Sequence, residues 1–463
     1  MSPAASGHRV VVVGGGLAGM AAALQAASAG AVVTLVEKRR KLGGLTWSFE
    51  RRGLVFDNGQ HVFLRCCSAY RAFLGRIGAA DEVRLQPVLD VPVLAPGGRR
   101  ARIARTSLPL PSPLHLAPAL LTYRHLSLVE RLRLERAVRA LGRLTPADPA
   151  LDQTTFGRWL SAHGQSERAV ERLWDLVVLP TVNVRSAEAS LALAVKVFRT
   201  GLLDTLDGAD IGWSSVPLGR LHGAHGAQAL AAAGVEVLLG KAVDSVEAPG
   251  DGGARVQVRT GGRVLGADAV VVALPHDAAP SVLPEGTLGD VARLGRAPIV
   301  NVHLVLDRRV TDLPFAAAVS SPVQYVFDRT QAAGVPPSSR SQCLVVSLSD
   351  ATSWSGARPD ELVRTFFAAI CDLFPLARDA ALVDAVVSRE HAATFRGRPG
   401  TAALRSGPAT GLDGVFVAGA WTATGWPATM EGAVRSGLAA ADAAVASFGS
   451  ERPATRELEA APA

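Results

Sequence analysis

From Arg9 to Gly19 the chain reads Arg-Val-Val-Val-Val-Gly-Gly-Gly-Leu-Ala-Gly, a hydrophobic strand that breaks in a glycine turn and opens an alanine-rich helix. Such a strand-turn-helix binds phosphate. Gly14 permits the tight turn, Gly16 removes a side chain where a pyrophosphate must approach the backbone, and Gly19 lets the helix pack close to the strand. The helix start, with Leu17 and Ala18 in its first turn, presents unpaired N–H groups and a positive dipole end to the anion. A second strand, Ala31 to Val36, ends at Glu37, whose carboxylate is placed to accept hydrogen bonds from a ribose diol. An acid there disfavours a 2′-phosphate, so NADP is not expected. A glycine fingerprint alone is a weak signal, but strand, turn, helix, strand and acid follow here in order.

The next residues are Lys38-Arg39-Arg40-Lys41-Leu42-Gly43-Gly44. Gly43 and Gly44 can bring backbone N–H groups to a second face of the pyrophosphate, and Lys38 and Lys41 can supply charge; the plainer reading is a solvated charge cluster before a loop. At the other end, Val415 to Gly419 reads as a short buried strand, Ala420 to Pro427 as a turn, and Ala428 to Gly437 as the start of a small-residue helix. Gly419, Ala428 and Met430 would then meet an isoalloxazine, with the helix start stabilising negative charge at its N1–C2=O edge in the reduced flavin. Flavin segments at both ends turn the length prior of about three domains into one discontinuous fold.

The phrases Thr46 to Phe49, Asp57 to Cys67, Phe156 to Trp159, Trp174-Asp175 with Leu179-Pro180-Thr181, Lys196 to Thr200, Asp210 to Trp213 and Trp421 to Gly437 resemble hydroxysqualene dehydroxylase, a family of bacterial FAD enzymes within the amine oxidase and carotenoid desaturase superfamily. The resemblance runs from about residue 8 to residue 440. Members of that superfamily commonly follow the glycine pair with arginine, where this chain has Leu45. The resemblance implies an α/β fold: a Rossmann-like FAD-binding domain of the glutathione-reductase and amine-oxidase type with an inserted α+β substrate domain. It also implies FAD contacts from Gly59 and from the backbone near Val243.

Along the chain, 8–95, 215–276 and 410–448 are the expected FAD segments. The insertions are 96–214, mostly helical in pattern, and 277–409, with strands at Ile299 to Leu306 and Cys343 to Leu348 and a helix around Glu361 to Phe374. Gly234 to Leu239, Ala242 to Glu247 and Arg255 to Arg259 read as successive strands with a hairpin turn at Asp251-Gly-Gly253, and Ala267 to Pro275 as a buried strand. The tail 449–463 is expected to be disordered.

The resemblance implies a reaction in which hydroxysqualene, a long-chain isoprenoid, loses its allylic hydroxyl as water and takes up hydride from reduced flavin N5 to give squalene, the precursor of hopanoids. The electron donor stays open. The leaving oxygen needs an acid. Asp57 and His61 are the first candidates, with Asp175, Asp210 and Glu431 behind them; Asp57 can equally brace its own turn, His61 pack, and Glu431 complement a helix dipole. Trp174, Trp213, Trp421 and Trp426 could line the substrate cavity and hold a passing cation by π contact, core packing being the plainer reading of each. Two rivals stand beside this reaction: a phytoene-type FAD desaturase, and a non-catalytic prenyl-lipid carrier. The strand Ile299 to Leu306 has no lysine, which counts against amine oxidation.

Composition narrows the setting. No uninterrupted apolar run reaches about 18 residues, so no transmembrane helix is expected, and the amino terminus lacks a secretory pattern. Cys66, Cys67, Cys343 and Cys371 form no CxxC pair, so neither a metal site nor a disulfide framework is expected, and a reducing, cytoplasmic setting follows. The net charge of +7 comes from scattered arginines, without the clustered stripe that nucleic acid wants. Such a surface suits anionic phospholipid headgroups, at about 1 kcal/mol per well-placed cation. Leu108 to Leu121, broken by four prolines, cannot be a continuous spanning helix. Followed by a basic, leucine-rich helix around Ser127 to Leu144, it could dip into the inner face of a membrane as a peripheral contact, or simply cover the core.

Overall fold

The valine runs assemble into a five-stranded, wholly parallel sheet in the order Glu236–Leu239, Val32–Glu37, Arg9–Val13, Ala269–Val272, Val415–Val417. Val10 to Val13 and Ala269 to Val272, at its centre, are wholly apolar because both faces are covered. Val10 and Val12 point into a layer built on the helices Leu17–Ser28 and Met430–Ala446. Val11 and Val13 point the other way, into a core shared with Val246, Val256 and Val258 of an antiparallel meander. That meander consists of Val243–Glu247, Val256–Thr260 and Arg263–Ala267. Of the strands read in succession from residue 234, the first therefore belongs to the parallel sheet and only the later ones to the meander. The computed structural model describes residues 7–108, 110–248 and 255–449; the turn at Asp251 to Gly253 and the tail from 450 lie outside them.

A second, seven-stranded sheet has the order Leu382–Thr394, Ala297–Leu306, Gln342–Leu348, Tyr325–Asp328, Phe315–Ala318, Asp90–Ala95, Arg99–Ala104. The helix Pro359–Leu373 covers one face with Leu362, Phe366, Ile370 and Leu373, a helical spacing that places all four on one stripe. The boundary drawn from sequence at residue 95 falls inside the hairpin Asp90–Ala95/Arg99–Ala104, and both of its strands lie in this second sheet. Likewise Ile211–Ser214, assigned to the helical insertion, pairs back with Val62–Leu64 and Val83–Leu85.

The helical insertion packs Leu128–Leu141, Phe156–Ala162, Asp175–Val182 and Leu191–Phe198 around a buried aromatic knot of Phe156, Trp174 and Phe198. Leu128–Leu141 starts in a reciprocal capping box between Ser127 and Glu130, which satisfies two otherwise unpaired backbone donors. Among the described residues no helix is long and apolar enough to cross a membrane.

Candidate flavin site and its surroundings

Both glycine turns are built for backbone approach. A Cβ on Gly19 would lie 1.8 Å from the Gly14 carbonyl oxygen, and one on Gly14, at φ +106°, 2.5 Å from the Ala273 oxygen. Gly44, at φ +57°, faces the first turn so closely that its Cβ would sit 2.8 Å from Gly16 Cα. Gly16 caps the helix without any side-chain hydrogen bond, so the cleft where the turns meet is lined by main chain at the positive end of a helix. Glu37 is buried at its rim, its carboxylate accepting from Gly15 N at 2.6 Å and Arg39 N at 2.8 Å. Lys241 N donates to the Glu37 carbonyl, which brings Val243 close to that end of the cleft.

The two lysines expected at the pyrophosphate are placed differently. Lys38 is exposed. Lys41 points its ammonium at the Ser48 carbonyl, 3.1 Å away, and over the Trp47 ring at 4.1 Å; burial and the neighbouring Arg39 draw its pKa down. Its charge is thus directed at an aromatic face rather than at the glycine turn.

The carboxy-terminal part is held by a residue that sequence reading missed. Arg405, 9% exposed, donates to the carbonyls of Trp421 at 3.0 Å, Thr422 at 2.6 Å and Trp426 at 2.7 Å. Burial pulls its guanidinium down to about 10. One side chain therefore fixes the whole turn between Gly419 and the helix Met430–Ala446, and Thr429 caps that helix by accepting from Gly432 N. Ala428 and Met430 remain half-buried at its start. Gly437 completes the region: a Cβ there would meet the Ala18 oxygen at 2.1 Å, so the last helix crosses the first at its phosphate-binding end. Two glycine turns in mutual contact, a rim carboxylate and a clamped turn before a capped helix fit an extended dinucleotide with a flavin at its far end.

Asp57 is committed elsewhere. Its Oδ1 accepts from Ser48 Oγ at 2.6 Å and Leu218 N at 2.8 Å, and its Oδ2 pairs with the buried Arg329 at 2.9 Å. Arg329 also reaches the Ser214 and Val216 carbonyls. The expectation that Asp57 donates a proton is corrected: both of its oxygens serve as acceptors inside the protein, and its work is to join the loop after the strand Leu54–Asp57 to the second sheet. Asn58 strengthens the same joint through Glu390, at 2.8 Å, and Asn301 and Ser388 bind the Asn58 carbonyl. Gly59 fits beneath Asn301, whose Nδ2 would lie 3.2 Å from an added Cβ.

His61 leaves that clamp half-buried, its Nδ1 3.2 Å from the Gly59 carbonyl. A carbonyl only accepts, so Nδ1 carries the hydrogen and Nε2 presents a lone pair. Burial lowers the pKa, against the smaller pull of Asp57 and Glu390. The ring is therefore held neutral, an acceptor toward any substrate hydroxyl rather than an imidazolium donor. Next to it, Val62 pairs with Trp213, and half-buried Leu64 and Ile211 add apolar surface.

The remaining acids are structural. Asp210 is fully buried and holds Arg65 and Arg105, each at 3.0 Å. Glu431 accepts from the first backbone N–H groups of the helix Ser68–Arg76, at Ala69 and Tyr70. Asp175, raised by burial, accepts from Ser186 N and Oγ. The four tryptophans do not converge on one cavity. Trp174 is buried in the aromatic knot and donates to Gln165 at 3.1 Å, and Trp421 is buried under Gly419 and donates to the Leu274 carbonyl at 2.9 Å. Trp213 and Trp426 stay half-buried, the latter with the Lys196 ammonium 4.8 Å from its ring. Among the described residues no cluster of metal-binding side chains occurs.

The profile of the flavin containing amine oxidoreductase family matches residues 17–445. Hydroxysqualene dehydroxylases of Sinorhizobium fredii and Rhodopseudomonas palustris are 27% and 29% identical, each aligned over 94% of this chain and 98% of the relative. A 15-cis-phytoene desaturase of Glycine max is 25% identical over 94% of this chain and 79% of its own length. Among solved structures, a putrescine oxidase bound to putrescine superposes with a TM-score of 0.70 at 18% identity, over 95% of this chain and 99% of that one, which establishes the shared fold.

Proposed function

Since the chain belongs to the flavin containing amine oxidoreductase family and is an FAD-dependent oxidoreductase, we propose that its reaction is the reductive dehydroxylation of hydroxysqualene to squalene. One observation carries the reading: the alignment with two hydroxysqualene dehydroxylases spans 98% of each of them, so the substrate-side insertions as well as the nucleotide fold have counterparts there. The Ala297–Leu306 strand adds to it by presenting Asn301 and no lysine beside the 57–61 loop.

In this reading a carbon–oxygen bond breaks and a carbon–hydrogen bond forms: the carbon gains a hydride, and the hydroxyl leaves as water with the proton released through solvent when FADH2 becomes FAD, so that ROH and FADH2 give RH, H2O and FAD. Reduced FAD supplies that hydride. Gly14, Gly16, Leu17, Ala18 and Gly19, with Gly43 and Gly44, would hold the pyrophosphate; Glu37 would hold the ribose and Val243 would flank the adenine. Gly59, Gly419, Ala428 and Met430 would border the ring. His61 would accept a hydrogen bond from the substrate hydroxyl at Nε2 and orient it, while Leu64, Ile211 and Trp213 would exclude water from the hydrocarbon.

The substrate is delivered from a membrane. Leu108, Leu114, Leu121, Leu128, Val129 and Leu132 are all exposed, a concentration of large apolar side chains that marks an interaction surface. They support a peripheral position on the inner face of the membrane.

Anaerobic incubation of the photoreduced holoprotein with hydroxysqualene in liposomes tests this: squalene should form stoichiometrically with flavin reoxidation. Absence of squalene, with desaturation of phytoene by the oxidised protein, would transfer the assignment to the phytoene-desaturase reading, which the Glycine max relative supports.

A further inference from the structure

A cavity of about 500 Å³ opens between the Asp90–Ala95/Arg99–Ala104 hairpin and the helical insertion, lined by Arg99, Arg100, Arg124, His125 and Arg172. Other arginines in this chain show what pairing looks like, as Arg102 with Asp90 and Arg168 with Glu130. Among the described residues none of these four has a carboxylate partner. Arg172 carries a buried Nε without any hydrogen-bond partner, and its Nη1 reaches only the His125 carbonyl at 3.5 Å. His125 is itself fixed by the Val93 carbonyl at 3.0 Å. Arg99, Arg124 and Arg172 around His125, with Arg100 beside them at the rim and no counter-charge among them, make a site for an anion rich in acceptor oxygens, which their planar donors match.

The position of the cavity selects the anion. Arg124 and His125 lie in the short link between the helices Ala117–Leu121 and Leu128–Leu141, and this link separates exposed Leu121 from exposed Leu128, Val129 and Leu132. Leu134, Ala137 and Leu141 of the second helix turn inward, so its outward apolar residues cluster near its first turn, beside the arginines. We propose that this cavity receives the phosphate of an anionic phospholipid headgroup and so seats the protein on a negatively charged bilayer, with the adjacent leucines entering the acyl layer. The proposal rests on the membrane-docking part of the function given above. It adds a specific headgroup receptor to what would otherwise be a nonspecific apolar contact.

Sedimentation of the holoprotein with phosphatidylglycerol or phosphatidylcholine vesicles tests it. The variant Arg99→Gln/Arg100→Gln/Arg124→Gln changes only exposed side chains, and retained flavin absorbance verifies its fold. It should lose on the order of a hundredfold in affinity for phosphatidylglycerol vesicles, three well-placed cations' worth, and keep its weak binding to phosphatidylcholine. Leu128→Ser/Leu132→Ser should weaken binding to both. Equal affinity of the arginine variant and the unaltered protein for phosphatidylglycerol overturns the headgroup site while leaving membrane docking intact. No binding of the unaltered protein to either vesicle overturns both. Saturable, arginine-dependent binding of inorganic phosphate, without any preference for anionic vesicles, assigns the cavity to a soluble phosphate and also overturns the lipid assignment.

Discussion

The parallel sheet and the joint around the 57–61 loop solve the same problem, fixing chain segments distant in sequence, by opposite means. In the sheet the solution is the absence of side chains: Gly14, Gly19 and Gly437 allow main chain to touch main chain, and Glu37 is the one buried charged residue on the five strands. In the joint the solution is paired charge. Asp57 meets Arg329 across 272 positions, and Asp210 gathers Arg65 and Arg105. A ligand gripped by backbone demands shape, whereas the substrate side has to hold sheet, loop and helices in register around a greasy surface. Buried charge pairs are directional enough to do so, at a desolvation cost that hydrophobic contacts avoid.

The contrast breaks most sharply at glycine. Gly19→Ala forces a Cβ to within 1.8 Å of a backbone oxygen, where no rotamer change helps. The expected outcome is complete loss of bound flavin, read as missing visible absorbance in the purified protein. Gly75→Ala, in a helix with open space around it, should be neutral or slightly stabilising, because alanine favours the helix by up to about 1 kcal/mol. Equal flavin content in the two variants would show that the sheet does not depend on close backbone approach.

In the joint, single substitutions should cost more than double ones. Arg329→Met leaves Asp57 buried without its partner and should lower stability by about 3–5 kcal/mol in urea unfolding. Asp57→Leu/Arg329→Met should recover a good part of that loss, and flavin should stay bound in both. Additive losses would mean that Asp57 and Arg329 act separately, contrary to their 2.9 Å contact.

This difference also governs what could be read from the sequence. The nucleotide turn, the second strand with its terminal acid and the carboxy-terminal helix were legible because each is a local pattern: glycine spacing, a valine run, small residues at helical intervals. Arg329 and Arg405 were illegible because nothing near them in sequence distinguishes them from the many other arginines; only the folded chain brings one to Asp57 and the other to the 420–426 carbonyls. Asp57 lies in a legible loop, but sequence leaves proton donation and bracing equally open, since a carboxylate in a motif looks the same whether it meets a substrate or a guanidinium. The hairpin at 90–104 was divided at residue 95 because strand content alone does not say which sheet a strand joins.

Acid should separate the regions next. Burial holds His222 and His303 down to about 3, with the Arg329 charge adding to the effect at His303. Both pKa values lie below the unfolded value, so folding favours the neutral rings. This contribution is whole above about pH 6.5 and is lost as pH falls toward 3, at about 1.4 kcal/mol per pH unit for each ring. By pH 5 that amounts to about 2 kcal/mol per histidine. Urea midpoints measured from pH 7 to pH 5 should therefore fall, and His222→Phe/His303→Phe should flatten the slope. An unchanged slope in the double variant would locate the acid sensitivity elsewhere.

The smallest expected effect sharpens the assignment of the tryptophans. Trp174→Phe keeps the aromatic packing against Phe156 and Phe198 but removes the donor to Gln165 Oε1, leaving a buried amide oxygen unsatisfied. That costs about 1–2 kcal/mol, visible as a lowered urea midpoint with kcat/KM for hydroxysqualene unchanged. Trp213→Phe reverses the pattern, because its half-buried ring stands opposite Val62, on the strand paired with Val62–Leu64: stability should hold and KM should rise. If Trp174→Phe altered KM as Trp213→Phe does, the aromatic knot would be part of the substrate surface after all, and the division between a packed helical core and an apolar wall at the 57–64 loop would have to be redrawn.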